Sequence, residues 1–123
     1  MTIQEAITRV RELKPNQFQD DVLVGWLSDL DGLIWREVLC WHEGAPQEPP
    51  AAYSAQTDME KELLVGQPYS DIYISYLNAK IDYTNGEFTR YNNSMVTYNM
   101  ALSVFADAHN RQNLPKTGPY IRI

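Results

Sequence analysis

Phe88, Tyr91, Met95, Tyr98, Leu102, Phe105 and His109 recur at alternating spacings of three and four. That row draws one stripe along an α-helix of roughly six turns, and such a stripe must be buried against something. Just upstream, a second helical pattern stops at Asn85-Gly86, a pair suited to the left-handed residue that ends many helices. The spacing therefore predicts two long helices joined by a tight turn, with the rest of the chain arranged around that hairpin.

Two further helices are predicted upstream. Thr2 and Glu5 stand as a capping box, hydroxyl at the N-cap and carboxylate three residues on. Ile3, Ala6, Ile7, Val10 and Leu13 then share a face until Pro15 ends the helix. The next helix begins near Gln19 to Asp21, where acidic side chains suit the positive end of the helix dipole. Leu23, Trp26, Leu27, Leu30, Ile34, Val38 and Trp41 line one face of it, widened by Leu33, Trp35 and Leu39. Gly25 and Gly32 disfavour a helix interior by about 1 kcal/mol each relative to alanine, which points to close helix packing or a bend. His42-Glu43-Gly44 closes this element.

Periodicity disappears across residues 45–67, where Pro46, Pro49 and Pro50 forbid a continuous helix. Glu62-Leu63-Leu64-Val65 reads either as a short strand or as an apolar plug that pins the segment to the core. A connection of this length in a compact domain is usually functional or disordered. It is therefore a candidate contact surface. The third helix opens at Pro68-Tyr69-Ser70-Asp71 with Ser70 as its N-cap. Tyr73, Tyr76, Leu77, Lys80, Ile81 and Thr84 lie on one side of it, and Ile72, Ala79 and Tyr83 on another. After the fourth helix, whose far side carries Arg90, Asn93, Thr97 and Asp107, comes a tail ending Tyr120-Ile121-Arg122-Ile123. The tail alternates as a strand does, without a partner strand nearby, as docking arms do.

The composition excludes several classes. A chain of 123 residues with 44% hydrophobic content is one domain with a modest core. Its net charge is -6, and its ten basic residues are scattered with no two adjacent, unlike a surface that grips phosphates. The single cysteine, Cys40, implies a reducing compartment. The N-terminus lacks the regions of a signal peptide, and no apolar run approaches the roughly 20 residues that span a bilayer. A soluble protein made in a cytoplasm, with no membrane partner, is expected.

Little in the sequence suits chemistry. Cys40-x-His42-Glu43 matches no familiar zinc spacing. His109 continues the apolar stripe at a helix C-terminus, where a partly charged imidazole and a capping role are expected. The carboxylates Asp20, Asp21, Asp29, Asp31, Glu60 and Glu62 fall on faces predicted to be solvated, whereas acid–base work needs them buried and opposed. No phosphate-binding glycine loop, nucleophile elbow or Cys–His pair occurs. Neither enzymatic activity nor a cofactor or metal is expected. Of the eight tyrosines, Tyr76, Tyr83, Tyr91 and Tyr98 sit on or next to the paired helix faces, so packing there is their first explanation. Asn78, Asn92 and Asn99 are then candidate partners for their hydroxyls. For Trp35 and Trp41, core and interface roles stand equal.

Pro68-Tyr69-x-x-Ile72-Tyr73-x-x-Tyr76-Leu77 is followed by Ile81-Asp82-Tyr83-x-Asn85-Gly86-Glu87 and by Arg90-Tyr91-Asn92-Asn93-Ser94. Together these resemble the small helical head–tail connector (adaptor, head-completion) proteins of long-tailed phages and prophages. Thr2-Ile3-Gln4-Glu5-Ala6-Ile7, Trp26-Leu27-Ser28-Asp29-Leu30-Asp31-Gly32 and Arg36-Glu37-Val38 agree with the resemblance. It covers most of the chain and is weakest at residues 44–59 and in the last ten. The resemblance implies a ring of about a dozen copies beneath the portal of a DNA-filled head, assembled in some members only on the portal. Such a ring extends the DNA channel, lets genomic DNA pass without sequence-specific binding, and presents a surface to the next connector or tail-completion protein. It implies a place at the head–tail junction of the virion, after assembly in the bacterial cytoplasm.

The expected architecture is all-α: about four helices with a long antiparallel C-terminal hairpin, one long loop and an extended tail. Residues 1–114 form the helical domain and 115–123 the arm. Tyr53, Leu63 and Leu64 from the loop, with Tyr120, Ile121, Arg122 and Ile123 from the tail, are the expected contacts to neighbouring subunits or the portal. Two rival readings are a small helical adaptor or regulator, which would form a one-to-one complex, and an enzyme gathering carboxylates around a metal.

Overall fold

A computed structural model describes residues 1–115. Four α-helices account for the architecture: α1 (Ile3–Leu13), α2 (Asp20–Glu37), α3 (Asp71–Thr84) and α4 (Phe88–Gln112). Among the described residues no strand forms, and the only ladder-like pairings are isolated bridges, Thr2 with Glu62 and His42 with Pro115. The all-α expectation, including the antiparallel α3–α4 hairpin, is met. Of the expected arm 115–123, Pro115 pairs with His42 and the other residues lie outside the described ones.

α1 starts on its capping box. The Thr2 hydroxyl accepts from the Glu5 amide at 3.1 Å, and the Glu5 carboxylate accepts from the Thr2 amide at 2.7 Å. The long loop satisfies two more first-turn amides that a helix leaves unpaired, because Ile3 donates to the Lys61 carbonyl and Gln4 to that of Met59. Ile3, Ala6, Ile7 and Val10 are fully buried. The helix stops at Leu13, two residues before Pro15.

α2 buries Leu23, Val24, Leu27, Leu30, Asp31 and Ile34. It ends four residues before Trp41, and a 3₁₀ turn over Leu39–Trp41 carries the chain away. The expected stripe therefore breaks at its end: Val38 is buried, but Trp41 faces solvent. Trp35 is half-buried, its indole N–H donating to the Pro46 carbonyl. Gly25 and Gly32 mark no close approach, since a Cβ at either would meet nothing within 4 Å.

α3 is the central element. It packs on α1, α2 and α4, and it buries Ile72, Tyr73, Ile74, Leu77, Ala79, Ile81 and Asp82. A helix apolar on nearly all sides is one surrounded by protein. Ser70 is its N-cap residue by position, yet its hydroxyl makes no capping bond and is buried without a partner among the described residues. Asn85 and Gly86, the latter at φ +76°, turn the chain into α4. At this hairpin Asp82 is a junction, accepting from Lys14 Nζ at 2.6 Å and from the Ser94 hydroxyl at 2.9 Å. It thereby ties the end of α1 to both arms of the hairpin.

α4 has 25 residues, about 37 Å of helix, and packs against α3 alone among the helices. An aromatic ladder joins the two. Tyr83 lies 5.1 Å from Tyr91, Tyr76 5.2 Å from Tyr98, and Tyr69 6.1 Å from Phe105, ring centre to ring centre. Such edge-to-face and tilted pairs add about 0.5–1.5 kcal/mol each beyond area burial.

Candidate functional site

Among the described residues α3 is the only helix packed on α4, and part of the side turned from α3 is left uncovered by them. Val96, Met100 and Val104, spaced as one i, i+4 row, are 59%, 65% and 56% exposed. Isolated exposed apolar residues need no explanation, but a row of them on a helix does. At one flank of the row, Met100, Ala101 and Val104 meet Pro68, Tyr69, Asp71 and Ile72 from the start of α3 across a groove of about 220 Å³. Asp71 is its only charged lining residue. On the opposite flank, Ala106 and Asn110 face Glu37, Val38, Trp41, His42 and Pro115 across a hollow of about 520 Å³.

The wall of the groove is held from below by a buried acidic centre. Asp31, fully buried on α2, accepts from the Tyr53 hydroxyl at 2.5 Å, the Tyr73 hydroxyl at 2.6 Å and the Leu64 amide at 3.1 Å. The Tyr73 hydroxyl in turn accepts from the Val65 amide at 2.7 Å. One carboxylate thus fixes both ends of the segment 53–65 to α2 and α3 and sets where the chain enters α3 at Pro68. Burial pushes the Asp31 carboxyl above the usual carboxylate range, although its three hydrogen bonds pull the other way. Burial, reinforced by the neighbouring carboxylate, pushes both phenols well above the ordinary tyrosine value. Both tyrosine hydroxyls are committed as donors to this carboxylate.

Asp31 is expected from sequence on a solvated face, and the structure instead buries it completely. Asp31 is four residues after Leu27 and three before Ile34, so it lies in the middle of the buried stripe of α2. The asparagine partners expected for the tyrosines of the paired helices are not in place: Asn92 and Asn99 are exposed, and the Asn78 side-chain oxygen is itself without a partner among the described residues. The Tyr98 hydroxyl is buried with no partner among the described residues, and burial lifts it to about 12.

Of the residues expected to make intersubunit contacts, Tyr53 and Leu63 are buried within the subunit and Leu64 is half-buried. With Val65, also buried, they form the apolar plug that sequence offered as the alternative to a strand. The side chains of Tyr53, Leu63 and Val65 belong to the chain's own core. Tyr120, Ile121, Arg122 and Ile123 lie outside the described residues. The row Val96, Met100, Val104 was not singled out from sequence, although its i, i+4, i+8 spacing is legible once α4 is known to have one neighbour.

At the far end of α4, His109 stacks edge-on to His42 at 4.6 Å and lies 5.6 Å from Phe105. The His42 Nδ1 donates to the Val38 carbonyl at 2.9 Å, and the Asn113 amide donates to His109 Nδ1 at 3.1 Å. Burial, then the neighbouring His42, lower the His109 value below 6.5, so the neutral imidazole is favoured rather than the partly charged one expected at a helix C-terminus. A proton binds the native state less tightly than the unfolded chain. The stability this confers is present above 6.5 and lost as pH falls through the lowered native value. Urea midpoints measured at pH 7.5 and 5.5 are therefore expected to fall less for His109→Gln than for the wild type. Equal falls would show that the pair contributes no pH dependence.

The fold and these sites define a small all-α protein with a buried carboxylate centre and one unpartnered helix face. Among the described residues, no three histidine, cysteine or acidic side chains gather to hold a metal ion, and no helix is long and apolar enough to cross a membrane. No protein family, curated protein or solved structure was found to match the chain.

Proposed function

We propose that this protein is a structural assembly subunit, a head–tail connector of a phage or prophage that forms a ring under the portal. The observation that carries the reading is α4, a 25-residue helix packed on a single neighbour, with Val96, Met100 and Val104 exposed along its outer side. A helix of that length with apolar residues on two sides is built for two partners, and the subunit supplies one. The motif resemblance gives the second partner its identity: another copy in the ring, with the portal and the next connector or tail-completion protein at its two ends. Sixteen acidic residues against ten basic ones suit a channel wall that genomic DNA passes without adhering. The same reading makes the protein non-enzymatic and places it at the head–tail junction of the virion, after assembly in the host cytoplasm.

The tail supplies the test. Removing residues 120–123 is expected to leave helix content and unfolding midpoint unchanged, while abolishing attachment to DNA-filled heads that lack tails. Joining of heads to tails at normal yield by the shortened chain would remove the arm from the reading. If the intact chain failed to bind heads yet formed a stable one-to-one complex with another protein, the adaptor alternative would replace it.

A further inference from the structure

We propose that His42, His109 and Asn113 form a pH-sensitive latch, which holds the strap Asn113–Pro115 on the segment that follows α2 and releases it when a proton binds His109 Nδ1.

Little else among the described residues holds the strap. The Glu43 amide donates to the Leu114 carbonyl at 2.9 Å, and His42 pairs with Pro115 as an isolated bridge. Leu114 is 71% exposed and Pro115 also faces solvent, so burial contributes little. Segments with few buried contacts and exposed hydrogen bonds open at low cost. The chain's direction into the strap is set at Asn113, whose extended backbone ends α4 and whose side chain caps it. Asn113 Nδ2 donates to His109 Nδ1 at 3.1 Å and to the His109 carbonyl oxygen at 3.0 Å.

That geometry commits the His109 ring. Its Nδ1 must offer a lone pair, so the neutral ring carries its hydrogen on Nε2. The His42 ring holds the opposite tautomer, because its Nδ1 donates to the Val38 carbonyl at 2.9 Å. An added proton on His109 goes to Nδ1, where it meets an N–H donor. Turning the Asn113 amide over sets its oxygen toward that proton, but also against the His109 carbonyl oxygen. Neither orientation satisfies both contacts, so protonation expels the cap and frees the root of the strap. His42, edge-on at 4.6 Å, adds repulsion once it too is charged.

The surroundings offer the proton no ready partner. Glu37 from α2 and Glu43 after the 3₁₀ turn line the hollows beside the pair, and Asp107 and Arg111 flank His109 along α4. Among the described residues none of these four bonds either imidazole. Cys40 turns away, its Sγ donating to the Arg36 carbonyl. With the His109 value held below 6.5 by burial and by His42, the latch is closed at neutral pH and opens as pH falls through that lowered value.

Amide hydrogen exchange of the full chain, followed by NMR and corrected for the intrinsic pH dependence of exchange, reads the strap at the Glu43 amide. Its protection should fall at least tenfold between pH 7.5 and 5.0, with the same midpoint as the His109 ring resonances. The Asn85 amide, which donates to the Ile81 carbonyl at the other end of the hairpin, should keep its protection over that range. In His109→Gln, which cannot take the proton, Glu43 protection should change less than twofold. Asn113→Ala should leave Glu43 poorly protected at both pH values, with helix content by circular dichroism unchanged. A wild-type Glu43 amide that is unprotected at pH 7.5, that is insensitive to pH, or that loses protection as steeply in His109→Gln would overturn the latch. None of these outcomes bears on the connector reading, which attachment to heads tests.

Discussion

Replacing Asp31 by alanine is expected to destabilise the protein by about 3–5 kcal/mol, a large share of what a domain this size possesses. Among the described residues the carboxylate is the acceptor for two buried donors, the Tyr53 and Tyr73 hydroxyls, and for the part-buried Leu64 amide. An unsatisfied buried donor costs about 1–3 kcal/mol, and partial relaxation of the loop carrying Tyr53 keeps the total below the sum. Asp31→Asn should cost only about 1–2 kcal/mol. It keeps one acceptor oxygen and removes the desolvation that lifts the native Asp31 carboxyl above its ordinary value of 3.8. The sign follows from linkage. The native state holds this proton more tightly than the unfolded chain, so the stability gained from protonation is fully present below 3.8 and lost as pH rises through the raised native value. Urea unfolding at neutral pH, with unchanged slope as the check on a two-state comparison, measures both variants. A cost below about 1 kcal/mol for the alanine variant would mean that the loop is held by something other than this centre.

The second large effect concerns Lys14 and Asp82, and it is asymmetric. The Asp82 side chain is 2% exposed and that of Lys14 is 25% exposed. Taking away the cation leaves a buried carboxylate with only the Ser94 hydroxyl, and Lys14→Met should cost about 2–4 kcal/mol. Taking away the negative charge leaves a lysine that reaches water by rotating its side chain, and Asp82→Asn should cost about 1–2 kcal/mol. The double variant should recover part of the Lys14→Met loss, since the unpaired charge is gone. The comparison is made by urea unfolding of the three variants. Should Asp82→Asn prove the costlier single change, the carboxylate is not the buried partner of the pair.

Local signals in the chain were legible to the extent that they are local. The Thr2 and Glu5 box, the stop before Pro15, the Asn85-Gly86 turn and the core stripe of α4 each depend on residues within a few turns of one another. All four stand in the structure. Phe88 is the exception in its stripe: it opens α4 at the hairpin turn, where α3 has already ended, and is exposed. What escaped was decided by distant neighbours. The acidic run Asp29 to Asp31 reads as solvated until Tyr53 and Tyr73 are brought to Asp31 from a loop and another helix. Trp41 reads as a continuation of the α2 stripe until α2 ends at Glu37. Val96, Met100 and Val104 read as ordinary variation on a solvated side, because nothing in sequence says that α4 has a single helical neighbour. The loop 45–67 gave only its apolar plug, Leu63 and Val65, since its other anchors are hydrogen bonds with no periodicity to betray them.

The most direct measurement is electron microscopy of the full chain incubated with portal rings, at a ratio giving excess subunit. Expected is a closed ring of about a dozen copies coaxial with the portal, with the outer side of α4 in contact between adjacent subunits and Met100 and Val104 covered. Bare portals, or single subunits scattered on them with the α4 face open to solvent, would contradict assembly as the function of this fold.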